Sequence, residues 1–465
     1  MMQRRKALKK ILQWSVVASI APHITVGKSR SLKIGIQNGK VFSGGKLQEG
    51  FVGITQDNTL QFSEVSLPAE RTLEAKGQWV CAGFIDILGD NSSYPEKTYR
   101  IFEKYKLADG VTTVLQMHGG SGNPAYFYNY FKSKPHYTNY GVSTKVMVIR
   151  MQYNTVGSRK RAIEQALEAG ALGVSHSLEY QPTPYQEVVA YAYLAKQYDR
   201  PLFLHLRYSS KEKELEGVKE AIQIAKDTDV RLHIDHLHST GGTFHMEEAL
   251  TLIQAAREEG VSITTCIYPY TYWATYLHSR RFAEGWQQRY QLDYSDLTVV
   301  GTGEKLTKGR FYQLRKQMGI LVAVPEGTMP FEKTIDLALQ TDFCMIGSDG
   351  GIERTPRANS HPRGAGCFAT AIQHGLQIGL SNEKLLAKVI TLPAQLIGKP
   401  LAQRGDIQQG YIADLVIFDP KQIQGKATVA NPNQFSAGIT WVIVNGEIAY
   451  HQNELKASRG QAILY

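Results

Sequence analysis

The chain has 465 residues, 43% hydrophobic and 20% charged, with 42 glycines and a formal net charge of +10. This composition excludes a disordered or repeat-built protein and suits one large core plus a smaller accessory domain. Part of the positive charge is local (Arg4, Arg5, Lys6, Lys9 and Lys10), and no Lys/Arg run interleaves with aromatics, which argues against a nucleic-acid partner.

The first residues, MMQRRKALKKILQWSVVASIAP, place a basic stretch before an apolar run from Ile11 to Ala21. The run is too short to span a bilayer. It reads as an export signal over residues 1–30, with RRKALK similar to a twin-arginine motif and small residues near Ala21 for cleavage. The expectation is a periplasmic protein with no stable membrane span after signal removal. The alternative is an amphipathic extension of a cytoplasmic protein.

Residues 31–80 hold short strands such as Leu32–Ile36 and Gly50–Ile54, and residues 395–465 hold Ala413–Asp419 and Ile439–Gly446. Two β-rich ends around a long middle predict one small β-sandwich built from both termini. The middle, 81–394, alternates strand and helix. Its strands are expected to end at Asp90, His118, Met151, Ser177, Arg207, Ser239, Tyr270 and Gly350. Eight βα units predict an α/β fold of the (β/α)8 TIM-barrel type, with extra elements within 271–342. In such a barrel the chemistry collects at the C-terminal ends of the strands.

Those ends carry residues foreign to a core. The fifth strand offers His205 and Arg207, the sixth His233, Asp235, His236 and His238, the fourth His176 and Glu179, and the eighth Asp349. Alternation puts Phe203, His205 and Arg207 on one face, and Ile234, His236 and His238 on another, with His233 and Asp235 turned away. Imidazoles on adjacent strands with a nearby carboxylate form a zinc-type arrangement, so His205 and His236 are candidate ligands, with His118 and His176 as further ones. His23, His136, His233, His374 and His451 read as structural. The four cysteines, Cys81, Cys266, Cys344 and Cys367, contain no CxxC pair and read as buried thiols.

The motifs GFID (83–86), DGVTTV (109–114), GALGVSHSLEY (170–180), HLR (205–207), YPYT (268–271), SDGG (348–351), HPRGAG (361–366) and GYIADLVIFD (410–419) occur in order. Together with EEALTLIQAAREEG (247–260), they make the chain resemble the D-aminoacylase (N-acyl-D-amino-acid deacylase) group of the amidohydrolase superfamily from about residue 31 onward. The resemblance implies metal-dependent amide hydrolysis on a small anionic amide. It implies His205 and His236 as metal histidines, Asp349 as general base and Arg363 as the partner of a substrate carboxylate. Tyr180 and Tyr270 would line the pocket. Three positions depart from the group's pattern. Leu88 and Asp90 stand for a His-x-His pair, Gly119 stands for a metal-binding cysteine, and His238 stands for a lysine near the substrate. A binuclear set is therefore incomplete. The readings are one zinc on His205 and His236 with a third ligand from His118, His176 or Asp349; a rearranged site using Asp90 and His238; or a barrel retained for binding. A hydantoinase- or dihydroorotase-like enzyme acting on a cyclic amide would use the same machinery.

Overall fold

The computed structural model describes residues 31–89, 95–208, 210–324, 331–350 and 361–465. The expected export segment and Asp90 lie outside the described residues. Among the described residues, no helix is long and apolar enough to cross a membrane.

The two ends of the chain build one nine-stranded sheet. Leu32–Ser43 pairs antiparallel with Lys46–Ile54, and Trp79–Ala82 pairs antiparallel with Leu415–Phe418, which joins the N-terminal to the C-terminal half. Ile34, Val52, Ile54, Val80, Leu415 and Ile417 share its core. The sheet runs through Ala82 and the barrel begins at Phe84, so the boundary falls at Gly83 rather than at residue 80. A Cβ on Gly83 would sit 2.1 Å from the Thr112 side chain, so only glycine fits this passage.

Eight parallel strands follow: Phe84–Asp86, Val111–Ser121, Asn139–Lys145, Val174–Ser177, Leu202–His205, Leu232–Ile234, Ile263–Ile267 and Cys344–Ile346. Each pairs with its neighbours in the order of a nearly closed barrel. Strands one and eight meet through the Gly89–Gly350 bridge. Inward-facing Ile85, Leu115, Met117, Phe203, Cys266 and Met345 fill the interior. Leu396, Ile397, Leu401 and Ile463 pack against this cluster. Leu396, Ile397, Leu401 and Ile463 therefore serve the barrel, although they fall within the stretch expected to belong to the small β-domain.

The third strand corrects the sequence reading. It ends at Lys145, and Val146–Gln152 is a helix that buries Val146 and Ile149 and exposes Met151. The apolar run VMVI satisfies either period over so short a span. The fifth, sixth and seventh strands also stop two to five residues before the expected ends, leaving the polar residues on the turns beyond them.

Between the seventh and eighth strands, Trp273–Tyr276, Thr298–Val299 and Leu321–Val324 form a small antiparallel sheet. It has its own core of Trp273, Phe282, Trp286, Phe311 and Val322. This insertion stands beside the mouth of the barrel.

Candidate metal centre

Three histidines converge at that mouth. One nitrogen from each of His118, His205 and His236 lies within 4.8 Å of the others. Among the described residues no other group of three His, Cys, Asp or Glu side chains meets this spacing. His205 is the last residue of the fifth strand. His236 follows the sixth strand at φ +28, where the chain turns into the 3-10 turn Leu237–Ser239. His118 lies on the second strand, whose pairing with the third shifts register between Gln116 and Ser121. Such an irregularity re-aims side chains, and His118, expected as a further ligand, joins the centre beside Gly119, the position of the related group's cysteine.

Each ring has a hydrogen-bonding neighbour at one nitrogen. The Asp235 carboxylate accepts from His118 Nδ1 at 2.7 Å. The Glu179 carboxylate accepts from His205 Nε2 at 3.3 Å, and His205 Nδ1 is buried with no hydrogen-bond partner. The Ser239 hydroxyl gives its one proton to the His236 carbonyl at 3.0 Å, so its oxygen accepts from His236 Nδ1 at 2.9 Å. The nitrogens that carry lone pairs are then His118 Nε2, His205 Nδ1 and His236 Nε2. Burial lowers the proton affinity of His205 and His236, with neighbouring imidazoles adding to the effect at His236. Neutral, oriented imidazoles with acceptors behind them are what a zinc ion requires, so the residues present fit the metal. Removing one such acceptor costs about 10–100-fold in metal affinity. Asp235→Ala is therefore expected to weaken zinc binding by about that factor in a chelator competition titration, with the fold retained.

Asp235 and Glu179 were visible in the sequence without this role, and Asp235 was expected to face away from His236. His233 is in register with inward-facing Phe203, so Asp235, two residues on, also faces inward, and it is His236, at φ +28, that departs from alternation. Arg281, from the insertion, carries no sequence signal at all. Its Nη2 lies 3.1 Å from Glu179 Oε2 and 3.4 Å from His205 Nε2, and its guanidinium stacks on Trp273 at 4.7 Å.

The other expected residues divide into two groups. Asp349 follows the eighth strand, with Oδ2 3.9 Å from His236 Nε2 and 2.8 Å from Arg363 Nη2. Arg363 begins the helix Arg363–Gln377 and lies 4.7 Å over the Tyr268 ring. Tyr180 is partly exposed with its ring 5.1 Å from that of His205. These residues and the three histidines line one cavity of about 480 Å³, whose opposite wall is Trp273–Tyr276 and His278–Arg281 of the insertion.

His176, His238 and Tyr270 are not among that cavity's lining residues. His176 is in register with Leu204, whose side chain packs in the layer between strands and helices. It points outward too, bonds Thr183 Oγ1 through Nε2 at 2.7 Å, and burial lowers its pKa to about 3. It is not part of the three-histidine group. His238 lies behind Tyr268, edge to face at 4.1 Å, and burial and the Arg363 charge lower its pKa to about 3. Tyr270 turns away because Tyr268–Tyr270 forms a tight turn, with the Tyr270 N–H donating to the Tyr268 carbonyl at 2.9 Å. Its hydroxyl faces Thr370, and Tyr268 takes the place in the cavity wall. Arg207 pairs with Glu220 at 2.7 Å rather than entering the centre. Leu88 is buried in the barrel interior and offers no ligand atom.

The amidohydrolase family profile matches residues 75–449. An N-acyl-D-glutamate deacylase of Alcaligenes xylosoxydans xylosoxydans is 27% identical over 475 aligned positions, covering 90% of this chain and 94% of the relative. A D-aminoacylase of the same organism is 28% identical over 328 positions, covering 66% and 64%. Among solved structures, the N-acyl-D-glutamate deacylase from Bordetella bronchiseptica, complexed with zinc and a phosphonate mimic of the reaction's tetrahedral intermediate, superposes with a TM-score of 0.77. It is 22% identical and covers 94% of this chain and 100% of that one.

Proposed function

Since this chain belongs to the amidohydrolase family, we propose that it hydrolyses the amide bond of an N-acyl-D-amino acid at a single zinc ion held by His118, His205 and His236. The observation that carries the reading is the three-histidine group whose distal nitrogens are each tied to Asp235, Glu179 or Ser239. A barrel kept only for binding has no need of three convergent histidines with acceptors behind them. A single ion is proposed because Leu88 packs into the interior and strand one has no histidine to offer a second.

Zinc bound there supplies Lewis acidity and lowers the pKa of water to about 7. Asp349, beside His236, takes the proton from the attacking water and returns it to the leaving nitrogen. Arg363 presents a planar fork to the substrate carboxylate across the Tyr268 face, and Tyr180 lines the same cavity. The insertion wall, with Trp273 and Arg281, screens the reacting groups from bulk water. A free carboxylate suits Arg363 better than the neutral ring of a cyclic amide, which places the hydantoinase-like alternative second.

The test is steady-state kinetics on a panel of N-acyl-D-amino acids, N-acyl-L-amino acids and cyclic amides with zinc-loaded protein. Turnover confined to cyclic amides, or absent from the panel, contradicts the reading. In the same assay Arg363→Lys is expected to raise KM by about tenfold or more, because a point charge replaces a bidentate fork. It is also expected to narrow the preference for the acid over its carboxamide, since the charge remains while the fork is lost. The basic, apolar start of the chain is proposed to export the protein, and cell fractionation of an Arg4→Lys/Arg5→Lys variant checks this by its retention in the cytoplasm.

A further inference from the structure

Strand one contributes no histidine to the centre, yet its Asp86 is wholly buried and saturated with donors. The Asp86 carboxylate accepts from the backbone N–H of Leu88 at 3.1 Å, from the backbone N–H of Ser348 at 3.0 Å, from the Ser348 hydroxyl, and from Lys106 Nζ at 2.7 Å. The Ser348 oxygen in turn accepts from Lys106 Nζ at 2.8 Å and from the Gly350 N–H at 3.1 Å. Asp86, Lys106 and Ser348 are all 0% exposed. Both chain neighbours of Asp349 are thus gripped, Ser348 at two atoms and Gly350 at its N–H, with the Gly89–Gly350 bridge alongside. Between them Asp349 holds φ +46, a left-handed conformation uncommon outside glycine though more accessible to Asp than to most residues.

We propose that Asp86, Lys106 and Ser348 are positioning residues for Asp349, a buried clamp that fixes its backbone so that Oδ2 stays beside His236 and Arg363. The inference rests on Asp349 acting as the base. Lys106 neutralises the buried Asp86 and donates to both members, and every polar group of the clamp is satisfied, which makes such a network rigid. Misplacing a reacting group by about 1 Å can cost on the order of 100-fold in rate.

The test uses full-length zinc-loaded protein and the best substrate of the panel. Ser348→Ala is expected to lower kcat by tenfold or more, with KM and zinc per chain unchanged. Asp86→Asn/Lys106→Met removes the ion pair without leaving a lone buried charge, and is expected to show the same kcat loss. Wild-type kcat in either folded variant overturns the proposal. So does a rate loss matched by a proportional loss of zinc, which marks a purely barrel-closing role. Asp349→Asn, measured in parallel, separates the two readings. Loss of activity there with wild-type kcat in Ser348→Ala removes only the clamp, whereas wild-type turnover in Asp349→Asn removes the base.

Discussion

Asp349→Asn is expected to leave one zinc per chain in place while hydrolysis falls by about 10²–10⁴-fold, the range of a lost general base. The substitution keeps the size and polarity of the side chain but removes its capacity to accept a proton. Asp349 is not one of the three grouped ligands, and its Oδ2 stands 3.9 Å from His236 Nε2. Zinc content therefore isolates the chemical role from the structural one. KM is expected to change little, since a group that acts in the transition state lowers kcat and kcat/KM together. An Asp349→Asn enzyme of normal kcat requires another base, and among the described lining residues of the cavity no other carboxylate is present.

The second large effect concerns the ligands. His118→Ala, His205→Ala and His236→Ala are each expected to lose zinc on dialysis and to lose activity with it. Each removes one of three oriented lone pairs, and the buried groups behind it cannot substitute. His176→Ala is the informative comparison. It is a buried histidine on a neighbouring strand, but its ring faces Thr183 and the outer layer. It is expected to cost stability and to leave zinc bound, as read by metal analysis beside a thermal melt. The contrast tests whether the centre is the geometric trio or merely any histidine near the mouth.

Much of the architecture was legible because buried parallel strands read as apolar runs and their connecting helices as amphipathic ones. The flanking β-rich ends declared themselves in the same way. The third strand was overrun because Val146–Ile149 suits either period, and the tail that packs against the barrel interior looks in sequence like more of the small domain. His205, His236, Asp349 and Arg363 were readable as polar residues stranded at apolar strand ends, and the structure gathers them around one cavity. His118 was harder to place, since an irregular register of the second strand decides where it points. Asp235 was assigned the wrong face because inward-facing His233 sets the parity of the sixth strand, and His236 reaches the centre only through its positive φ. Tyr270 gives way to Tyr268 because the chain turns back on itself just past the seventh strand. Arg281 was invisible because it comes from an insertion whose fold depends on its own small core.

Leu88 and Asp86, two residues apart in GFIDIL, carry the departure and the continuity of this barrel. Leu88 occupies a position where the related group places a metal histidine, and it packs into the interior instead. Asp86 ties strand one to strand eight beside the proposed base. A mononuclear enzyme is therefore expected. Zinc titration of metal-stripped wild-type protein, followed by calorimetry and by turnover of an N-acyl-D-amino acid at each point, tests this most directly. One tight equivalent with activity rising in step and levelling at a 1:1 ratio is the predicted result. A folded protein that binds no zinc, or one whose activity requires two equivalents, contradicts it.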